Sequence, residues 1–260
     1  AATGYWIVLA AGTAAQAQTG NTIKFGLCYD LSKAYTFVTP QIVQAVKDYA
    51  AVLNAKGGIE ADVTVTRLGG DRFRIVSGAA TRRRDMAMLR RAAMGHDVQL
   101  ADVTEDFCTI GVMGAGSRHT LSRFSGDDWQ DFPFSTTREV TIAGVPCLAT
   151  RISYVGELGW EVTAANAQAG IVFDALIAAG ARPMGHYALN GCRMEKGFRH
   201  WGHDLGPEIT PLEAGLSFAI EWAKPFRGRD ALLRQKQDGI MRRLVLLAAD
   251  GAPLIVHDDR

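Results

Sequence analysis

Disulfide frameworks and thiolate metal or redox motifs are poorly supported, because the 260-residue chain has only four cysteines and no C-x-x-C pair. Cys28, Cys108, Cys147 and Cys192 stand singly in apolar stretches, as reduced, buried thiols do. A cytoplasmic setting is expected, or the mitochondrial matrix in a eukaryote. Charge of one sign is also lacking. A formal net charge of +1 gives no summed field for a polyanion, so nucleic acid is not an expected partner. Arg82-Arg83-Arg84 with Arg90-Arg91 reads as the solvated face of a helix over 81–94, with Met86, Leu89 and Ala93 turned inward.

No long, purely apolar run is present. The uncharged opening ends at Lys24 and carries Thr13, Gln16 and Gln18, a poor membrane span, so no membrane partner is expected. Within it, "YWIVLAAGTAAQAQ" has the apolar run and Ala-x-Ala of a leader peptide. It lacks an initiating Met and preceding basic residues, and an ordinary first strand is at least as well supported. No Pro/Ser-rich linker divides the chain. There is no G-x-S-x-G elbow, and Gly111, Gly114 and Gly116 in "GVMGAGSRHTL" do not have dinucleotide-binding spacing. His200 and His203 in "RHWGHD" lie in a Gly- and Trp-bearing loop rather than on one helix face, so no metal site is expected.

What is present is 48% hydrophobic content in mixed patterns. Strands are expected at 23–29, 61–68, 72–77, 107–113, 138–143, 146–154 and 159–163. Helices are expected at 41–53, 81–94, 116–125, 166–179, 184–197, 211–216 and 228–236. Strict βαβ alternation is missing, and 61–68 joins 72–77 through a short Gly-Asp turn. An α+β fold with mixed, largely antiparallel sheets and packed helices follows.

Three acids occupy unusual settings. After the Gly57-Gly58 turn, alternation puts Glu60 and Asp62 on one strand face, with Ala61, Val63 and Val65 on the other. In "SYVGELGWEV", Glu157 lies among Tyr154, Val155, Leu158 and Trp160, where a carboxylate needs a hydrogen-bond donor. In "GCRMEKGFRHWG", Glu195 and Lys196 read as helix surface, and Arg193 as a half-buried partner for an acid or ligand.

The blocks "LNAKGGIEADVTVTRL", "YVGELGWEV", "HYALNGCRMEKGFRHWGHDLGPEITPLEAGLSFAI" and "KPFRGRDALLRQK" resemble the folate-binding aminomethyltransferase module of the glycine-cleavage T-protein family. They are most similar to its fused form in dimethylglycine and sarcosine dehydrogenase-type flavoenzymes, over about residues 47–236. The resemblance implies a T-protein-like folate-binding fold with ferredoxin-like elements at 23–236. Residues 1–22 are unassigned, and 237–260 would begin a C-terminal domain whose barrel is mostly lacking.

The implied activity is tetrahydrofolate-dependent transfer of a one-carbon unit, from an iminium or formaldehyde equivalent released by amine oxidation, to give 5,10-methylenetetrahydrofolate. FAD would belong to a region outside this chain, on a flavin-containing oxidoreductase domain or subunit. A non-catalytic folate-binding scaffold and an inactive fragment are the alternatives. By the same resemblance Asp62 is the essential acid, Tyr49 its companion, Glu157 the pterin-binding acid and Arg193 the site arginine. Tyr154, Trp160 and Tyr187 complete the cofactor-binding candidates. The segment between "LCYDLSKAYTFV" and Tyr49 is only "TPQIVQAVKD", shorter than the family usually has.

Overall fold

The computed structural model describes residues 6–11, 49–69 and 72–246. The expected strand at 23–29, residues 41–48 of the first expected helix, Cys28 and the stretch from 247 onward lie outside the described residues.

Two antiparallel sheets dominate. The first contains β1 (Trp6–Ala11), β2 (Tyr49–Leu53), β3 (Ile59–Gly69), β4 (Arg72–Gly78) and β5 (Leu100–Asp102), in spatial order β2-β3-β4-β1-β5. The second contains β6 (Phe107–Met113), β7 (Thr137–Ile142), β8 (Val145–Thr150) and β9 (Gly159–Ala165), in order β6-β9-β8-β7. Helices α1 (Arg82–Ala93), α2 (Ser117–Ser122), α3 (Ala169–Ala178), α4 (His186–Glu195) and α5 (Arg229–Asp238) complete the described elements.

Two expected helices are corrected. Residues 49–53 of the expected 41–53 helix form β2, which pairs along β3. A short apolar run such as Tyr-Ala-Ala-Val-Leu fits either period, and the available strand edge decides. Residues 211–216 form turns. Thr210 and Glu213 close a reciprocal cap, with Thr210 N–H to Glu213 Oε2 at 2.8 Å and Glu213 N–H to Thr210 Oγ1 at 3.2 Å. Gly215 at φ 71° then ends the turn.

The outer faces of the sheets are apolar. Ala61, Val63, Val65 and Ile75 pack with Met86, Met88 and Leu89 of α1. Val112, Val140, Cys147, Trp160 and Val162 of the second sheet pack with Trp129, Phe132 and residues of α3. Each fully buried side chain of this kind contributes about 1.5–3 kcal/mol. A third cluster of Leu53, Ile59, Leu205, Ile220 and Leu232 anchors α5 beside the β2–β3 turn. That turn is closed by Asn54, whose Oδ1 accepts the N–H of Lys56 at 2.9 Å and of Gly58 at 3.0 Å. A Cβ on Gly58 would lie 1.7 Å from the carbonyl oxygen of Pro207, so only glycine fits.

Candidate functional site

The inner faces of the sheets are mostly polar, with Val76 and Leu148 as apolar members. Along β3 the period of two sends Asp62, Thr64 and Thr66 opposite to Ala61, Val63 and Val65. Arg74 of β4 stands directly across from Thr66 and shares that face. In the second sheet, register lines up Thr137, Thr150, Glu161 and Gly111 in one row across β7, β8, β9 and β6. Arg74 Nη2 reaches Thr150 Oγ1 at 3.5 Å, a long contact that places the two faces against each other.

Arg74 and Glu161 are 7% and 8% exposed. Burial pushes the Glu161 carboxyl up to about 7, partly opposed by the Arg74 charge. Burial pulls the Arg74 guanidinium down to about 10, with Glu161 opposing. They act on each other through space and not through a hydrogen bond. Arg74 Nε and Thr66 Oγ1 are buried with no hydrogen-bond partner among the described residues. Each such group costs about 1–3 kcal/mol, so unmet donors beside a buried acid describe a place for a ligand.

Asp62 lies on the same face of β3 as Thr66, about 13 Å further along the strand by its rise. Burial pushes its carboxyl up to about 6. Tyr154 connects Asp62 to a second group. Its phenol is raised chiefly by burial, Arg193 opposes, and Asp62 and Asp204 add. Arg193, on the last turn of α4, donates Nε to Asn190 at 2.7 Å and Nη1 to the Phe198 carbonyl at 2.9 Å and to the Asp204 carboxylate. Asp204 also accepts the N–H of His200 at 2.8 Å. The His200 ring lies 6.3 Å from that of Tyr154 and 4.7 Å from that of His203. Burial, His203 and Arg193 hold its imidazole below the ordinary range. Trp201 ties this loop to β3 by donating Nε1 to the Ile59 carbonyl at 2.9 Å, three residues before Asp62.

The structure therefore brings together Asp62, Tyr154 and Arg193 of the expected residues. Arg193 directs the donors named above at protein acceptors and organises the loop 198–205. The structure places the remaining candidates differently. Glu157 has a 49% exposed side chain and pairs with Lys196 at 3.4 Å. Trp160 is fully buried in the apolar core, edge-on to Trp129 at 5.5 Å and Phe132 at 5.9 Å. Tyr187 is 93% exposed on α4. Of Tyr49 the register alone is described, opposite Thr64 and two positions from the partner of Asp62.

Sequence reasoning did not single out Glu161 or Arg74, the buried charged groups of this layer. The signal for Glu161 was available: it is the lone charge in the otherwise uncharged stretch "GWEVTAA". Elsewhere, a cavity of about 600 Å³ is lined in part by Phe226, Arg227 and Arg234. Another of about 670 Å³ is lined in part by Asn54, Pro207 and Arg227. Neither is lined by Asp62, Tyr154 or Glu161.

With this geometry in place, comparison with known proteins assigns the class. A family model described as the GCVT N-terminal domain matches residues 32–224, and the chain belongs to this family. It is similar to 4-methylaminobutanoate oxidase (formaldehyde-forming) of Paenarthrobacter nicotinovorans, 43% identical over 220 residues, covering 81% of this chain and 27% of that protein. Mitochondrial dimethylglycine dehydrogenase of Mus musculus is 34% identical over 206 residues, covering 75% and 24%. Aminomethyltransferase of Rubrobacter xylanophilus is 35% identical over 211 residues, covering 80% and 56%. The chain thus spans about a quarter of the oxidase and the dehydrogenase. The fold matches glycine cleavage system aminomethyltransferase T from Bartonella henselae at TM-score 0.70 and 24% identity, covering 90% of this chain and 62% of that one. No helix among the described residues is long and apolar enough to cross a membrane.

Proposed function

We propose that this chain is a tetrahydrofolate-binding module that transfers a one-carbon unit at the formaldehyde level, delivered by oxidation of an N-methyl amine on a flavin-bearing region or partner. The observation that carries the reading is that Asp62 and Glu161, from different sheets, share one polar inter-sheet layer with unmet donors. Similarity to a formaldehyde-forming oxidase, a dimethylglycine dehydrogenase and an aminomethyltransferase supports the same chemistry from three directions.

The residues present fit such a ligand. A reduced pterin offers a ring N–H and an adjacent amino group, which a carboxylate accepts as a paired, charge-assisted contact. Glu161, buried and without a hydrogen bond from Arg74, is the acid suited to that edge, in place of the solvent-paired Glu157. Tetrahydrofolate supplies the nitrogens that take up the one-carbon unit. Asp62 accepts the proton released from a folate nitrogen and, ionised, stabilises positive charge beside it. At about 4 Å that is worth about 4 kcal/mol at an effective dielectric near 20. Tyr154 lies within the electrostatic reach of Asp62, Arg193 and Asp204. Titration with tetrahydrofolate by calorimetry tests the proposal, and an absence of heat at millimolar ligand overturns it.

A further inference from the structure

Glu161 satisfies two donors of a pterin edge, but a 2-amino-4-oxo pterin presents three groups in line: amino donor, ring N–H donor and carbonyl acceptor. A receptor for that edge needs two acceptors and, next to them, a donor. The inter-sheet layer has one. Arg74 projects from β4 toward Thr150, the residue paired directly with Glu161 across β8 and β9. Its Nε is buried and unpartnered among the described residues, and so is the hydroxyl of Thr66 facing it across β3 and β4. On its other flank Glu161 is paired with Gly111, which has no side chain, so a flat ring approaching the carboxylate from that side meets the flexible methyl end of Met113. Thr150, already linked to Thr137 at 3.0 Å, leaves the guanidinium fork only partly engaged.

We infer that Arg74 reads the ring carbonyl, so that Arg74 and Glu161 together form a donor–acceptor–acceptor receptor specific for 4-oxo over 4-amino pteridines. The inference rests on the folate reading above and adds the group that selects the heterocycle. Replacing the carbonyl by an amino group would set a donor against the Arg74 donors and, because the ring nitrogen beside it loses its proton, a lone pair against Glu161; in a buried site such mismatches discriminate strongly.

The test is calorimetry with tetrahydrofolate and with its 2,4-diamino counterpart, reduced aminopterin, on the same protein preparations. The wild-type chain should prefer the 4-oxo ligand by about 30-fold or more. Arg74→Met, which keeps length but no donor, should lower the preference by about 10-fold while unfolding stays cooperative, the remainder resting on Glu161. Should that variant not fold, Arg74→Lys serves: it keeps the buried charge without the fork and should lose most of the preference. Equal binding of both ligands by the wild-type chain, or a preference undiminished in a folded position-74 variant, overturns the role of Arg74 and leaves the folate reading standing. Binding of neither ligand overturns both.

Discussion

Glu161→Gln should change stability and ligand binding in opposite directions. In the free protein the Glu161 carboxyl is raised from 4.5 to about 7 by burial, so at pH 8 the fold carries an ionised acid that it accommodates poorly. A displacement of that size corresponds to about 3 kcal/mol between the two protonation states. Glutamine mimics the protonated acid. The variant should therefore be more stable than wild type at pH 8 by up to about 3 kcal/mol, and the difference should shrink to under about 1 kcal/mol at pH 5 and vanish below about 4.5, where the acid is protonated in the folded and the unfolded chain alike. Ligand binding should move the other way. One of two charge-assisted hydrogen bonds becomes neutral and the other meets an amide donor, a loss of about 2–3 kcal/mol, or roughly 50-fold in affinity. Urea unfolding at pH 5 and pH 8, with tetrahydrofolate calorimetry at pH 8, measures both. A variant less stable than wild type at pH 8 with folate affinity unchanged would refute the reasoning. Glu157→Gln is the control, since its exposed pair with Lys196 should contribute under about 1 kcal/mol and leave binding intact.

Asp62→Asn should keep tetrahydrofolate affinity within a few-fold but lose about 10²–10⁴ in methylene transfer, measured with the one-carbon unit delivered by an added flavin-dependent N-methyl amine oxidase; undiminished turnover removes Asp62 from the chemistry. Wild-type stability should fall as pH rises, because both raised acids bind more protons in the folded state. The contribution is fully present below about 3.8 for Asp62 and 4.5 for Glu161 and is lost by about 6 and 7. A urea midpoint that climbs steadily from pH 5 to pH 8 would contradict this. Arg193→Met should cost about 3–5 kcal/mol, because it leaves the Asp204 carboxylate without its buried partner and frees the loop 198–205; thermal unfolding reads the loss. Gly58→Ala should cost more than about 3 kcal/mol, since the added carbon meets the Pro207 carbonyl at 1.7 Å and that backbone has to move; an unchanged melting temperature would refute the close approach.

Periodicity made most strands legible. Expected strands at 61–68, 72–77 and 107–113 appear as Ile59–Gly69, Arg72–Gly78 and Phe107–Met113, because β-branched alternation between turn residues has one solution once a face is buried. The face assignment on β3 also followed from residues alone. Where local pattern was ambiguous, tertiary context decided: 49–53 became a strand because an edge of β3 was available, and 211–216 stopped after one turn because Gly215 adopts positive φ. The candidate site was legible in part, in that Asp62, Tyr154 and Arg193, singled out in the sequence, act on one another in the structure. Asp62, Tyr154 and Arg193 stand in distinctive blocks, but choosing between Glu157 and Glu161 needs to know where β9 begins. Gly159 starts the strand, which leaves Glu157 in a loop at solvent and puts Glu161 on the inner face. Arg74 became interpretable through its cross-sheet partner, which no local pattern specifies.

That geometry explains why the inner layer is polar when both outer faces are conventional cores. Two sheets packed through apolar inner faces would be more stable, since each buried, unpaired donor or acid costs more than the side chain it displaces would. Thr66, Arg74 and Glu161 instead place there groups that do not satisfy one another fully, while the threonines pair among themselves, Thr109 with Thr163 at 2.9 Å and Thr137 with Thr150 at 3.0 Å. A ligand with two donors and an acceptor on one edge would satisfy them. The stability sacrificed in the free protein would then reappear as binding free energy, and saturating ligand should raise the melting temperature most at pH 8, where the unliganded fold is weakest. A ligand-induced shift larger at pH 5 than at pH 8 would mean that the buried acids are not what the ligand relieves.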